Sequence, residues 1–526
     1  MKFLGLTLLT VISSTFCYAQ TVCNPDTTQL YHPEVADYTD ILQELIDKAN
    51  AANQTKLMLK PGRFGLREQN PIVLKPGVSL IGSDDAPTIF TVLKNDKNEV
   101  ATIQVPAACE SWGITDIVLD NVNIDIQPHH NTKISTISRN VFLNGGRGSI
   151  MSNFGTGLLV EHNVFLRDEV HASFEARPKY NTTNSGILFQ TQTESKISNN
   201  IFGMDLRRID DVAPHVSPDL QEPLNKIKYL KQCLNEPLAD QQGYMASGIQ
   251  LYNSNDIVIN ENILNGTFPD TKKYSQDHGI SVVGSNQTYV HQNFIAGWQI
   301  GDFGGSIRFT SAVDGYVINN YMANSAIMMY AANHADFDQV ENIVVSNNFL
   351  YKFLGNEYGP PEPLNGWLFE GITYYDFGAA KLNWTIDKPI WNSSVPISRF
   401  AHKIVVTNNK FAATNDLDPN VINLGNIDPT EAFVDPNNCY VTNPLVPGQT
   451  TVPLLWRQQY QENTNTHLGG KIPQRFDFYS KDSLEDSIPP SLRDLEFPEF
   501  WRAFVLKNNT VPMMDPNSNC FGSQGI

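Results

Sequence analysis

The sequence predicts an all-β solenoid, a single-stranded parallel β-helix with an N-terminal capping helix and long loop insertions. Three observations carry that expectation. First, one unit is written four times between Gly248 and Phe353: Gly248-Ile-Gln-Leu with Ile259-Asn-Glu-Asn-Ile, Gly279-Ile-Ser-Val with Val290-His-Gln-Asn-Phe, Ser306-Ile-Arg-Phe with Val317-Ile-Asn-Asn-Tyr, and Ala326-Ile-Met-Met with Val344-Val-Ser-Asn-Asn-Phe. Self-similarity at a period of about 20–50 residues marks a solenoid in which each unit buries its face on its neighbours. Second, the apolar runs are short, rich in β-branched residues and alternate with period two, as strands do. Third, an Asn recurs just before an aromatic or aliphatic residue. With coils stacked at roughly 4.8 Å, amides at one turn can hydrogen-bond up and down a column and satisfy the turn backbone.

The elements follow in chain order. Residues 1–19 read as a secretory signal: Lys2, an apolar run from Phe3, then small residues up to Ala19, after which cleavage is expected. Bulky Phe16 argues against lipidation at Cys17. The mature chain is then secreted, periplasmic or extracellular. No later stretch is long and apolar enough for a membrane span. The formal net charge of −18 argues against nucleic acid and anionic membrane as partners.

Cys23, Cys109, Cys233, Cys439 and Cys520 remain, an odd number at wide spacings. They read as small buried hydrophobes plus one disulfide clasp, Cys439–Cys520 being the pairing expected in an exported chain. No CxxC or Cys/His cluster points to zinc.

Residues 20–70 form the N-terminal cap. Within them 36–56 read as an amphipathic helix with Asp37 or Thr39 as its cap. Such a cap protects the open end of a solenoid, which otherwise exposes apolar core and unpaired strand edges. Lys56-Leu-Met-Leu-Lys-Pro-Gly-Arg-Phe and Pro71-Ile-Val-Leu-Lys-Pro-Gly-Val-Ser-Leu-Ile-Gly are short strands with Pro-Gly turns.

A helix, then Leu59-Lys-Pro-Gly-Arg-Phe, Val78-Ser-Leu-Ile-Gly and Asn-anchored coils resemble the pectin-lyase-like superfamily of right-handed parallel β-helices over roughly residues 36–440. The resemblance implies the fold; one fold hosts many chemistries.

The β-helix is expected over 71–440, with anchors at Asn140, Asn163, Asn200, Asn262, Asn293, Asn320, Asn348 and Asn409. Insertions at about 205–245 and 354–400 follow the anchor strand and precede the next strand-turn unit. Insertions on one edge usually wall a binding face, so a ligand groove is expected along the sheet of Gly-Ile strands. The first insertion carries a short helix from Leu224. The second holds Trp367, Phe369, Tyr374, Tyr375, Phe377, Trp384 and Trp391, which either offer flat platforms for sugar rings or bury one another under a long loop. Residues 441–526 are expected to wrap and cap the C-terminal end.

Aligning coils on the Asn anchors gives the outward columns of that sheet. One reads Leu188, Gln250, Ser281, Arg308, Met328; the other reads Gln190, Tyr252, Val283, Thr310, Tyr330. Arg308 and Tyr330 then lie roughly 8 Å apart at the backbone, with His278 at the mouth of its strand. This set suits β-elimination or C5 epimerisation of a uronate. A cation must neutralise the carboxylate while a base removes the neighbouring proton. Arg308 is the candidate cation, and Tyr330 or His278 the candidate base. Gln250, Tyr252, Trp367 and Tyr374 are candidate substrate contacts. No cofactor or metal site is predicted. Asp210, Asp211 and Asp277 offer oxygens for a divalent ion such as calcium, but no ligand spacing supports it.

Ser306-Ile-Arg308-Phe is similar to the strand bearing the catalytic arginine in the alginate lyase and chondroitinase B family. The Asn-Lys-Ser motif that family places one coil earlier reads Val283-Gly284-Ser285 here, so its lysine is missing. Asp277-His278 has part of the Asp-Pro-His-Asp of mannuronan epimerases. The clustered aspartates and Gly-His-Gly of polygalacturonases are absent. Three readings follow. The first is a uronate polysaccharide lyase or epimerase. The second is a hydrolase using two carboxylates, for which Asp277 and Asp302 are the candidates. The third is a non-catalytic glycan-binding or adhesin β-helix.

Overall fold

The structure, a computed structural model, describes residues 35–442 apart from 85, 94–99, 108, 129–133, 168–184, 214–215, 234–237, 239–240, 243–244, 246, 266–277, 297, 299–304, 324–325, 332–338, 353–370, 377–400, 408, 414–421, 424–431 and 435–438. The expected signal segment, the C-terminal wrap and the Cys439–Cys520 pairing lie outside the described residues. The buried Cys109 thiol donates to the Leu74 carbonyl at 3.4 Å, and its burial pushes its pKa up to about 11.

Each coil after the first contributes one strand to each of three parallel sheets; the first, Lys56–Met58 and Gly62–Leu66, contributes to two. In coil order, and among the described residues, these are sheet 1 with 11 strands including Ser247–Tyr252, sheet 2 with 12 including Asn255–Asn260, and sheet 3 with 12 including Ile263–Asn265. Every sheet is built from strands one coil apart, and the chain forms a right-handed parallel β-helix, the hand that parallel crossovers take. The interior is one continuous apolar column. Ile187, Ile249, Ile280, Ile307, Ile327 and Ile372 stand in register along sheet 1, and all are fully buried. On sheet 3 the rings of Phe142, Phe165 and Phe202 stack at 4.7 and 4.6 Å.

The anchor asparagines form an unbroken ladder at the corner between sheets 2 and 3. From Asn140 through Asn163, Asn200, Asn262, Asn293, Asn320 and Asn348 to Asn409, each Nδ2 donates to the Oδ1 of the next at 2.9–3.0 Å. Each Oδ1 also accepts the backbone N–H of the preceding anchor, as Asn163 Oδ1 does from Asn140 at 3.0 Å. A second Nδ2 bond reaches a carbonyl one coil away, such as Asn293 to Ile259 at 3.0 Å. All eight are fully buried, so the ladder meets every polar demand of a dry corner.

The N-terminal helix spans Thr39–Ala51, shorter at both ends than the expected 36–56. Tyr38 holds the capping position but its side chain does not cap the helix, while Asp37 Oδ1 accepts the Thr39 N–H at 3.0 Å. Leu42, Ile46 and Ala49 bury its apolar face. The solenoid begins earlier than 71: Lys56–Met58 already pairs with Ser79–Ile81, and Gly62–Leu66 with Thr88–Val92.

The two long insertions depart from expectation. The helix of the first spans Pro218–Cys233 and lies on the outer face of sheet 3, not beside sheet 1. Its Leu220, Leu224, Ile227 and Leu230 pack on an outward column that includes Ile89, Val118, Val141, Val164 and Ile201. A buried ion cluster fixes it. Lys226 Nζ lies 3.2 Å from Asp116 Oδ1, and Arg139 meets the same carboxylate through Nε at 3.0 Å and Nη2 at 2.6 Å. The second, 354–400, is not one loop. Ile372–Asp376 inside it is the sheet 1 strand of its coil, in register with Ile327–Ala331.

Candidate functional site

The outer face of sheet 1 has the register read from the sequence. Leu188, Gln250, Ser281, Arg308 and Met328 stand opposite one another on successive strands, as do Gln190, Tyr252, Val283, Thr310 and Tyr330. The alternation follows from Ile249, Leu251, Ile307 and Phe309 turning into the core.

Arg308 and Tyr330 are brought together. The Arg308 Cζ lies 6.0 Å from the centroid of the Tyr330 ring, at the outer limit of a cation–π contact. Arg308 Nη2 donates to Ser281 Oγ at 2.9 Å. Ala326, Met328 and Tyr330 form an apolar cluster beside the guanidinium. Tyr330 is 3% exposed, and its hydroxyl donates to Met328 Sδ at 3.4 Å. Arg308 is half-buried, whereas Gln250, Ser281 and Met328 in its column are buried. A cation held by a hydroxyl on one side and a ring on the other, against an apolar wall, is oriented and only partly hydrated. An anion meets more attraction there than at a freely solvated arginine.

His278 opens its strand opposite Gly305 and is fully buried. Gln250 is also fully buried and donates from Nε2 to Ser247 Oγ at 2.8 Å. Tyr252 is half-buried. In its column Gln190 and, a coil earlier, Asn153 are half-buried too, so a polar, partly open track leads along the sheet toward Arg308. Farther along, Gln127 Nε2 donates to Asp125 at 2.8 Å, and burial pushes the Asp125 carboxyl up. Tyr374 does not join this face; it is 1% exposed and packs in the solenoid core. Inward and outward positions on its strand were not separable until its register with Met329 was known. Trp367, Asp277 and Asp302 lie outside the described residues.

Sequence reasoning placed Ser281 in the outward column without giving it a role. The signal was its position one coil before Arg308, where a hydroxyl reaches a guanidinium. Among the described residues no group of three His, Cys, Asp or Glu side chains gathers to hold a metal, and Asp210 is ion-paired to Lys228 at 2.7 Å.

No protein-family model matches the chain, and no curated protein matches it. Similar solved structures include PfbA, a surface adhesin of Streptococcus pneumoniae, at 12% identity and a TM-score of 0.45, covering 73% of this chain and 84% of that one. The A-module of the Azotobacter vinelandii mannuronan C-5 epimerase AlgE6 aligns at 12% identity and 0.43, covering 79% and 97%. A mannuronic acid specific polysaccharide family 6 lyase from human gut microbiota aligns at 11% and 0.33, covering 86% and 96%. The fold of this chain is read from its own strand pairing. No helix among the described residues is long and apolar enough to cross a membrane.

Proposed function

We propose that this is an exported polysaccharide-acting β-helix protein whose sheet 1 face binds a uronate and acts on it by β-elimination or C5 epimerisation. The observation that supports this is Arg308, the half-exposed cation oriented by Ser281 and Tyr330 in a column whose other members Gln250, Ser281 and Met328 are buried. A guanidinium is the group suited to a carboxylate, because its planar fork matches both oxygens. Removing the proton next to that carboxylate moves charge into it, and a fixed cation stabilises the charge as it develops. Tyr330, beside the guanidinium, and His278, at the start of the neighbouring strand, are the candidate groups to take the proton. The half-buried track through Asn153, Gln190 and Tyr252 suits further units of a polymer.

A non-catalytic glycan-binding role is the second reading. It is favoured by the burial of Tyr330 and His278 and by the use of the Tyr330 hydroxyl on Met328.

The test is a screen of purified protein against alginate, pectate and glycosaminoglycans, following unsaturated uronate absorbance and reducing ends together. A rise in both that falls about 10²–10³-fold in Arg308→Ala, the usual effect of deleting one charge-stabilising group, supports the lyase. Conversion of alginate without new ends indicates epimerisation. Reducing ends alone indicate hydrolysis. Binding without chemistry leaves the second reading.

A further inference from the structure

The outer face of sheet 2 carries an arrangement that the sheet 1 site does not use. Lys196, Val258, Tyr289 and Tyr316 stand opposite one another on successive strands. Their neighbours Ile197, Ile259 and Val290 point into the core, so these four point out. The Tyr289 and Tyr316 rings stack at 4.9 Å and 8°. Tyr316 therefore covers one face of Tyr289. The rung on the other side is Val258, too small to cover a phenol ring. Val258 and Tyr289 are half-buried, and Lys196 beyond them is exposed. The column thus has a notch two rungs long, roughly 10 Å between the Lys196 and Tyr289 strands, walled at one end by an aromatic face.

A second outward column flanks the notch two residues on: Ser198, Asn260 and His291, again in register. They are 0%, 6% and 7% exposed. Ser198 Oγ, Asn260 Oδ1 and His291 Nδ1 are all buried without a hydrogen-bond partner. Three adjacent rungs with unmet polar atoms are costly unless something satisfies them. On the opposite flank Glu194 and Asp256 occupy matching left-handed positions, at φ 47° and 53°. Two carboxylates against Lys196 leave the rim net acidic.

We propose that this notch is a carbohydrate subsite, distinct from the Arg308 face, that takes a neutral pyranose of a glycan chain. A pyranose has an apolar C–H face for the Tyr289 ring and hydroxyls that both donate and accept, which suits Asn260, His291 and Asp256. The acidic rim repels a uronate and accepts an uncharged sugar. The proposal does not rest on the uronate reading of sheet 1.

The test is electrophoresis of the full chain through native gels containing glucomannan, mixed-linkage β-glucan, galactan or alginate. At least one neutral polymer is expected to retard the protein. That retardation should persist in Arg308→Ala and weaken at least 10-fold in Tyr289→Ala. Val258→Phe fills the notch with a residue suited to a strand, so it should also abolish retardation while leaving the unfolding midpoint unchanged. Absence of retardation by all three neutral polymers overturns the proposal. So does retardation that survives both Val258→Phe and Tyr289→Ala, or binding to alginate alone.

Discussion

Arg308 is positioned by two side chains from two other coils, and its geometry makes a substitution test sharper than simple charge removal. Arg308→Lys retains a cation but lacks the planar fork that reaches Ser281 while facing an anion. If the uronate proposal holds, the lysine variant recovers only a small part of the activity lost in Arg308→Ala, read as kcat/KM on the responsive polysaccharide. His291 gives a prediction that needs no substrate. Its burial, opposed by a hydrogen bond with Gln292, lowers its pKa from 6.5 to about 4. The unfolded chain therefore binds a proton between those values that the folded chain refuses. The stabilisation is complete above pH 6.5 and is lost as pH falls toward 4, by about 3 kcal/mol in all. Urea unfolding across that window should show the slope, and His291→Gln should flatten it. The meeting of Arg308 and Tyr330 was legible in the sequence, since counting from the Asn anchors fixes register and alternation fixes the face. The burial of His278 and Tyr330 was not legible, because exposure on a sheet depends on what lies over it.

The insertion helix Pro218–Cys233 shows an element whose place the sequence could not give. Its apolar stripe was readable, but several outward columns of a solenoid could receive such a stripe. Val118, Val141 and Val164, which receive it, sit on strands covered on both faces, and such strands lack the polar alternation that marks an outside. The same loss of pattern hid Ile372–Asp376 within an aromatic-rich stretch, and with it the inward turn of Tyr374. The ion cluster at Asp116 makes the docking testable. Burial alone would raise the Asp116 carboxyl, yet the hydrogen bonds from Arg139 and the charge of Lys226 outweigh it, and the group sits below the usual carboxylate range. Its contribution is present above the unfolded pKa and lost as pH falls through the folded one. Asp116→Ala leaves Lys226 buried without its counter-charge and should cost about 3–5 kcal/mol in urea unfolding. Lys226→Met leaves Asp116 held by Arg139 and should cost clearly less.

Across the whole molecule the coils depend on one another through the core column and the asparagine ladder. Asn293→Ala strips bonds from both neighbouring rungs. It leaves the Asn262 N–H and Nδ2 and the Ile259 carbonyl each short of a partner. At about 1–3 kcal/mol for each group left unsatisfied, the loss should be severe. Hydrogen exchange should speed up first at the coils on either side of residue 293, rather than at the helix-capped end. This ladder was the most legible feature of the chain, because a buried amide at a fixed corner cannot be replaced by another residue type without stranding a backbone group.

The ladder also separates what must be counted from what is free to vary. Successive rungs are 23 residues apart at Asn140–Asn163, 37 at Asn163–Asn200 and 62 at Asn200–Asn262, yet the amide bond across each is 3.0 Å. The corner reports position along the stack and is blind to how much chain was spent elsewhere in the turn. Segments at the remaining corners therefore behave as exchangeable cassettes. One can be shortened, lengthened or transplanted, and the next coil still arrives in phase. New walls for a ligand can be added to such a chain without re-deriving its frame.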